Sequence, residues 1–228
     1  MKLITSIFGS AIVRATPDEV IPEAGIVPQD VFKFIGDAYS FANRPALAPT
    51  TPLQINQIFT FQQGKLAVEN SVYPIQQLSI FLNGDAVSAQ NTDAADTVLT
   101  DFMRRLNEKF QYRYEPQSLR RSYVSGLVVQ FDRGLEEYIA AFQKIGEILD
   151  REIPRPNFPF KPKILIFGNG DPSTVSAPNS LEDLAKLDFV LQRRLGEPYT
   201  ENRYYSSAPL RTVDHLKMLQ SIEEALRN

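Results

Sequence analysis

Apolar residues recur at helical spacing in four stretches of the chain. Val31, Ile35, Ala38 and Phe41 mark a helix over 29–43, opened by Pro28 and closed before Pro45. Ala95, Val98, Leu99, Phe102, Leu106 and Phe110 mark a second, with Thr92 as its expected N-cap and Asp93 and Asp96 in the first turn. Leu135, Ile139, Phe142, Ile145 and Leu149 mark a third, and Leu216, Leu219, Ile222 and Leu226 a fourth that starts near Thr212. Runs at 58–61, 65–68, 75–82, 123–131, 164–167 and 184–191 have strand character, and the first fifteen residues read as an N-terminal strand. A turn is expected at Gln62-Gln63-Gly64, and Asn83-Gly84 between apolar runs predicts a hairpin over 75–90.

Written in order, the elements give strand, helix, strands and helix, and then the same series again. Residue-level agreement follows the same order. Val31-Phe32-Lys33-Phe34-Ile35-Gly36-Asp37 aligns with Ala141-Phe142-Gln143-Lys144-Ile145-Gly146-Glu147, Pro49 and Pro52 with Pro159 and Pro162, and Ile58–Phe61 with Ile164–Phe167. Leu78–Leu82 then aligns with Leu187–Leu191, and Thr92, Val98, Leu99, Phe102 and Leu106 with Thr212, Met218, Leu219, Ile222 and Leu226. The expectation is an α+β protein of two similar halves, 1–115 and 116–228, with mostly antiparallel sheets and helices on one face. The series is similar in outline to the saddle of the TATA-binding protein. That likeness is one of topology: no functional residue of that family is matched, and its basic excess is missing.

Composition narrows the chemistry. The 228 residues contain no Cys and one His, with a net charge of −3. Thiol catalysis, disulfide exchange, iron–sulfur clusters and thiolate or multi-histidine zinc sites lack their residues. A Ser–His–Asp hydrolase would have to use His215, in the first turn of the last helix, where a partly exposed histidine beside a cap is expected; no Gly-x-Ser-x-Gly elbow is present. Lys2 and the apolar stretch after it imitate a signal peptide, but Arg14 and the interruptions at Thr5, Ser6, Gly9 and Ser10 do not fit one. No run approaches the roughly 18 apolar residues of a membrane span, so a soluble cytoplasmic protein is expected. The loop Phe167–Ser173 carries two glycines, but Pro172 follows and no Gly-Lys-Ser, so it reads as a turn and not a phosphate loop. Glu136-Glu137 and Glu223-Glu224 read as solvated helix faces, and the proline segments 45–52 and 154–162 as rigid connections.

Two stretches remain as candidate surfaces. Residues 192–211, QRRLGEPYTENRYYSSAPLR, combine Arg193, Arg194, Arg203 and Arg211 with Tyr199, Tyr204 and Tyr205, in a connection longer than its first-half counterpart. Tyr and Arg are enriched at binding hot spots, so this is the expected protein-contact surface. Arg104, Arg105, Lys109, Arg113, Arg120 and Arg121, interleaved with Tyr112, Tyr114 and Tyr123, form a basic run suited to a polyanion. No cofactor fingerprint or metal-ligand cluster stands out. The sequence therefore reads as a non-enzymatic binding or regulatory module acting on a protein partner. A nucleic-acid binder using both arginine clusters is the first alternative, and a carboxylate–Mg²⁺ hydrolase or nuclease the second.

Overall fold

A computed structural model describes residues 1–15, 17–22, 27–46, 58–68, 71–81, 83–115, 119–134, 137, 139–152, 161–168 and 188–227. Its eight strands are β1 (Lys2–Arg14), β2 (Phe59–Val68), β3 (Ser71–Phe81), β4 (Gly84–Ala89), β5 (Arg121–Gln130), β6 (Ile164–Phe167), β7 (Phe189–Arg193) and β8 (Arg203–Ala208). Among the described residues a single helical turn, Pro17–Val20, and four longer helices accompany them: α1 (Pro28–Ala38), α2 (Thr92–Phe110), α3 (Ala140–Glu152) and α4 (Thr212–Arg227). All eight strands join one antiparallel sheet in the order β2-β3-β4-β1-β5-β8-β7-β6. The fold is α+β, and among the described residues no helix is long and apolar enough to cross a membrane.

The central junction is β1 against β5, with Gly9 paired to Ser125 and Phe8 to Gly126. Both glycines there leave room for a close neighbour. A Cβ on Gly9 would fall 2.1 Å from the backbone of Asn91 and Thr92, and one on Gly126 would fall 2.4 Å from the Phe8 ring. Strand alternation sends Ala11, Val13, Leu78, Val87 and Ala89 to the side where α1 and α2 lie, and there they pack on Val31, Ile35, Val98, Leu99 and Phe102. On the other half Leu127, Val129, Leu191 and Tyr204 pack on Leu219 of α4.

The hairpin expected at Asn83-Gly84 is present as β3–β4, with Gly84 in the positive-φ region. The expected break at 62–64 is not: β2 runs through it, with Gln63 at φ 57° and Gly64 bare because the Phe41 ring fills its side-chain position. The first helix stops at Ala38 instead of residue 43. Ser40 takes φ 51°, and the chain turns so that Ala42 N–H and Asn43 N–H donate to Gln63 O and Gln62 O along the β2 edge. The N-cap of α2 is Asn91, whose Oδ1 accepts from Ala94 N–H at 2.9 Å, and Thr92 is the first helical residue. The third helix begins at Ala140, and the strand expected over 184–191 is observed as β7 from Phe189. The sites named at Pro49, Pro52, Pro159, Leu135, Glu136, residues 169–173 and 184–187 lie outside the described residues.

At the starts of α2 and α4 the two threonines meet. Thr92 N–H donates to Thr212 Oγ1 at 3.1 Å and Thr212 N–H to Thr92 Oγ1 at 2.9 Å. Each hydroxyl thus satisfies an orphan donor on the other helix.

Candidate interaction surface

The Tyr/Arg-rich stretch forms the end of β7, a hairpin loop with a 3₁₀ turn at Tyr199–Glu201, and β8. Its members divide into two groups. Arg193 is buried: Nη1 donates to Tyr204 Oη at 2.7 Å and Nη2 to the Tyr199 carbonyl. The Arg193 guanidinium stands 4.3 Å from the Tyr199 ring centre and 5.0 Å from that of Tyr204, and Lys161 Nζ lies 5.0 Å from Tyr199. Tyr204 is buried as well and meets Phe131 edge-on at 5.4 Å. These two residues, expected at a contact surface, are buried instead and form the foundation of the loop, because alternation along β7 and β8 points them into the core beside Leu191 and Ser206.

What the foundation holds up is the loop itself. Arg194 N–H bonds Arg203 O, Phe131 N–H bonds Asn202 O, and Asn202 and Gly196 take left-handed backbone conformations. Glu197 receives Arg203 at 3.0 Å and Arg194 at 3.4 Å, and Glu201 receives the other Arg203 nitrogen at 3.5 Å. Leu195, 78% exposed, stands at the tip, and Tyr199 is exposed on the same loop; Tyr205 is half-buried on β8. Arg211 is elsewhere, stacked 4.1 Å from the Tyr123 ring centre and paired with Asp93 and Asp96 of α2.

Three of the six cations of the basic run, Arg104, Arg105 and Arg121, are paired with carboxylates of the chain. Arg104 and Arg105 both bind Asp101, and Arg104 also bonds Glu108 at 2.8 Å. Partial burial pushes the Asp101 carboxyl up, but bonds from Arg104, Arg105 and Tyr39 outweigh it and hold the group below the usual carboxylate range. Arg121 meets Asp96 at 2.5 Å and Thr100 at 3.0 Å. Lys109, Arg113 and Arg120 are exposed. Of the tyrosines, Tyr114 is buried and stacks on Tyr112 with centres 5.6 Å apart, and its Oη donates to Asp85 at 2.7 Å. Burial outweighs that bond and raises the Asp85 carboxyl to about 7.

His215 is fully buried, not partly exposed. Ser206 Oγ donates its only proton to Val190 O at 2.9 Å, so its oxygen accepts from His215 Nε2–H at 2.9 Å. Nδ1 then accepts from Ser125 Oγ at 2.8 Å, which makes the ring neutral, and burial lowers its pKa to about 4. Glu223 corrects a second expectation. It is buried, and it accepts from Asp132 N–H at 2.8 Å and pairs with the Met1 amino group at 2.5 Å and Arg227 at 3.2 Å. The signal for both was the apolar helical position each occupies on α4, a spacing that is polar-blind.

Among the described residues no three His, Asp or Glu side chains come together as a metal site. Compared with protein families and with curated proteins, the chain matches no family model and no curated sequence.

Proposed function

We propose that the protein is a binding or regulatory module that engages a protein partner through the β7–β8 loop, with Leu195 and Tyr199 as anchors and Arg194 and Arg203 at the rim. The observation that carries this reading is the Arg193 clamp between Tyr199 and Tyr204. A loop fixed before binding loses little conformational entropy on association, and an exposed leucine on such a loop has no folding role to explain it. Two features support a protein over a polyanion as partner: the overall charge is −3, and Arg104, Arg105, Arg121 and Arg211 already face carboxylates of the chain.

The proposal includes a duplicated origin for the two halves and a cytoplasmic setting. Supporting the duplication, the strand order reads outward from the centre as β1-β4-β3-β2 on one side and β5-β8-β7-β6 on the other, and the aligned Thr92 and Thr212 meet. A photo-crosslinker at Tyr199 should capture a partner from native extract that one at Val72, exposed on β3, does not. Leu195→Asp should abolish that capture without changing the melting temperature. Equal capture at both positions, or capture that vanishes steeply with salt, sinks the reading.

A further inference from the structure

The two margins of the sheet are finished differently. At β2 the outer edge is occupied by residues 39–43, with Lys65 N–H donating to Tyr39 O at 2.8 Å and Gln62 N–H to Asn43 O at 3.0 Å. At β6 no described residue takes that place. The strand is apolar, Ile164-Leu165-Ile166-Phe167, with Ile164 47%, Ile166 58% and Phe167 64% exposed. Among the described residues the outward backbone groups of β6 have no partner strand, and such an edge flanked by exposed apolar side chains is a template for another strand. Beside it α3 exposes Ile145 and Ile148, and Phe142, Ile145, Gly146 and Leu149 wall a cavity of about 130 Å³ with Lys161 and Pro162.

The register available to a second copy follows from the backbone. Arg193 N–H donates to Lys163 O at 2.7 Å, so the main-chain groups of Lys163, and by alternation of Leu165 and Phe167, face β7. The groups of Ile164 and Ile166 face outward. Outward residues bond only to outward residues, so an antiparallel self-pairing can place its two-fold axis on Ile164, Leu165 or Ile166. The axis on Leu165 sets Ile164 against Ile166, whereas the other two set Ile166 against Pro162, which has no N–H, or Ile164 against Gly168. With the axis on Leu165, Lys163 stands opposite Phe167, where its ammonium can lie on the exposed ring. Charge fits the same direction. Lys161 and Lys163 precede the strand, whereas Asp188 lies beside its far end, its Oδ1 3.0 Å from the side-chain position of Gly168. Antiparallel pairing brings the basic end of one copy to the acidic end of the other; parallel pairing would stack lysine on lysine.

We propose that the chain forms a two-fold dimer in which β6 pairs antiparallel with β6 of a second copy about Leu165, joining two eight-stranded sheets into one. This does not rest on the loop function above, and either can fail alone. The chain contains no cysteine, so a single introduced one reports cleanly. Sedimentation of the native protein at high-micromolar concentration should give twice the 25.8 kDa chain mass. Ile166→Lys, at an exposed position, should return the single-chain mass with an unchanged circular dichroism spectrum. Under oxidation Leu165→Cys should form a reducible dimer, since facing non-bonded pairs bring Cα atoms to about 4.5 Å, and Val72→Cys should not. If Leu165→Cys disturbs folding, an equimolar mixture of Ile164→Cys and Ile166→Cys gives the same readout at exposed sites. A native single-chain mass overturns the proposal, as does a dimer that survives Ile166→Lys. A dimer in which none of these cysteines cross-links overturns the register.

Discussion

His215 and Asp85 make the stability of this protein depend on pH in two opposed ways. His215 is held neutral, with its pKa lowered from 6.5 to about 4. The unfolded chain therefore binds the extra proton first as pH falls, and stability contributed by the buried neutral ring is lost between 6.5 and 4. At 1.36 kcal/mol per pKa unit the loss is about 3 kcal/mol. Asp85 is raised from 3.8 to about 7, so its contribution is fully present below 3.8 and is lost as pH rises to 7, by about 4 kcal/mol. Between pH 4 and 6.5 the two slopes oppose and nearly cancel, and the native protein should show a flat profile there. The other shifted groups titrate outside that window: Asp101 below it, the tyrosines, the arginines and the Met1 amino group above it. Each single substitution exposes the other slope. Asp85→Asn should gain stability with rising pH at about 1.4 kcal/mol per unit from 4 to 6.5, and His215→Gln should lose it at a similar rate. Urea unfolding followed by circular dichroism at half-unit intervals measures both. Three parallel profiles would refute the assignment of these charge states.

Arg193→Ala should destabilise by about 3 kcal/mol, because two ring contacts and the buried hydrogen bond from Arg193 to the Tyr204 hydroxyl are lost; Arg193→Lys, without the planar fork, should not restore thermal stability. In a double-mutant cycle, Thr92→Val and Thr212→Val should show a coupling of about 1 kcal/mol, and additivity would show that the crossed bonds do not form in solution. Gly9→Ala forces a methyl into the backbone at Asn91–Thr92 and should cost about 3 kcal/mol in chemical denaturation, whereas Gly196→Ala meets no atom and should cost only its positive-φ strain, about 1 kcal/mol.

The helices and most strands are legible because each announces itself within ten or so residues. The period of Val98, Leu99, Phe102 and Leu106 fixes α2, and Asn-Gly fixes the β3–β4 turn. What local pattern cannot carry is the identity of a distant partner. His215 is neutral and buried because Ser125, ninety positions earlier, and Ser206 supply both of its ring bonds. Arg193 is core and not surface because two tyrosine rings flank it, and nothing in QRRL separates it from the half-buried Arg194. The end of α1 at Ala38 was hidden similarly: the apolar period runs on to Phe41, which packs in the core from beyond a left-handed turn.

The pairing of β1 with β5 has a consequence for how the chain comes into being. Gly9 finds Ser125 across more than a hundred intervening residues, so β1 cannot complete its ladder until β5 has left the ribosome. Until then the β5 side of this thirteen-residue strand is bare, an edge that the finished molecule covers at the centre of its sheet. The pairing is non-local, and contacts of that kind form slowly in folding.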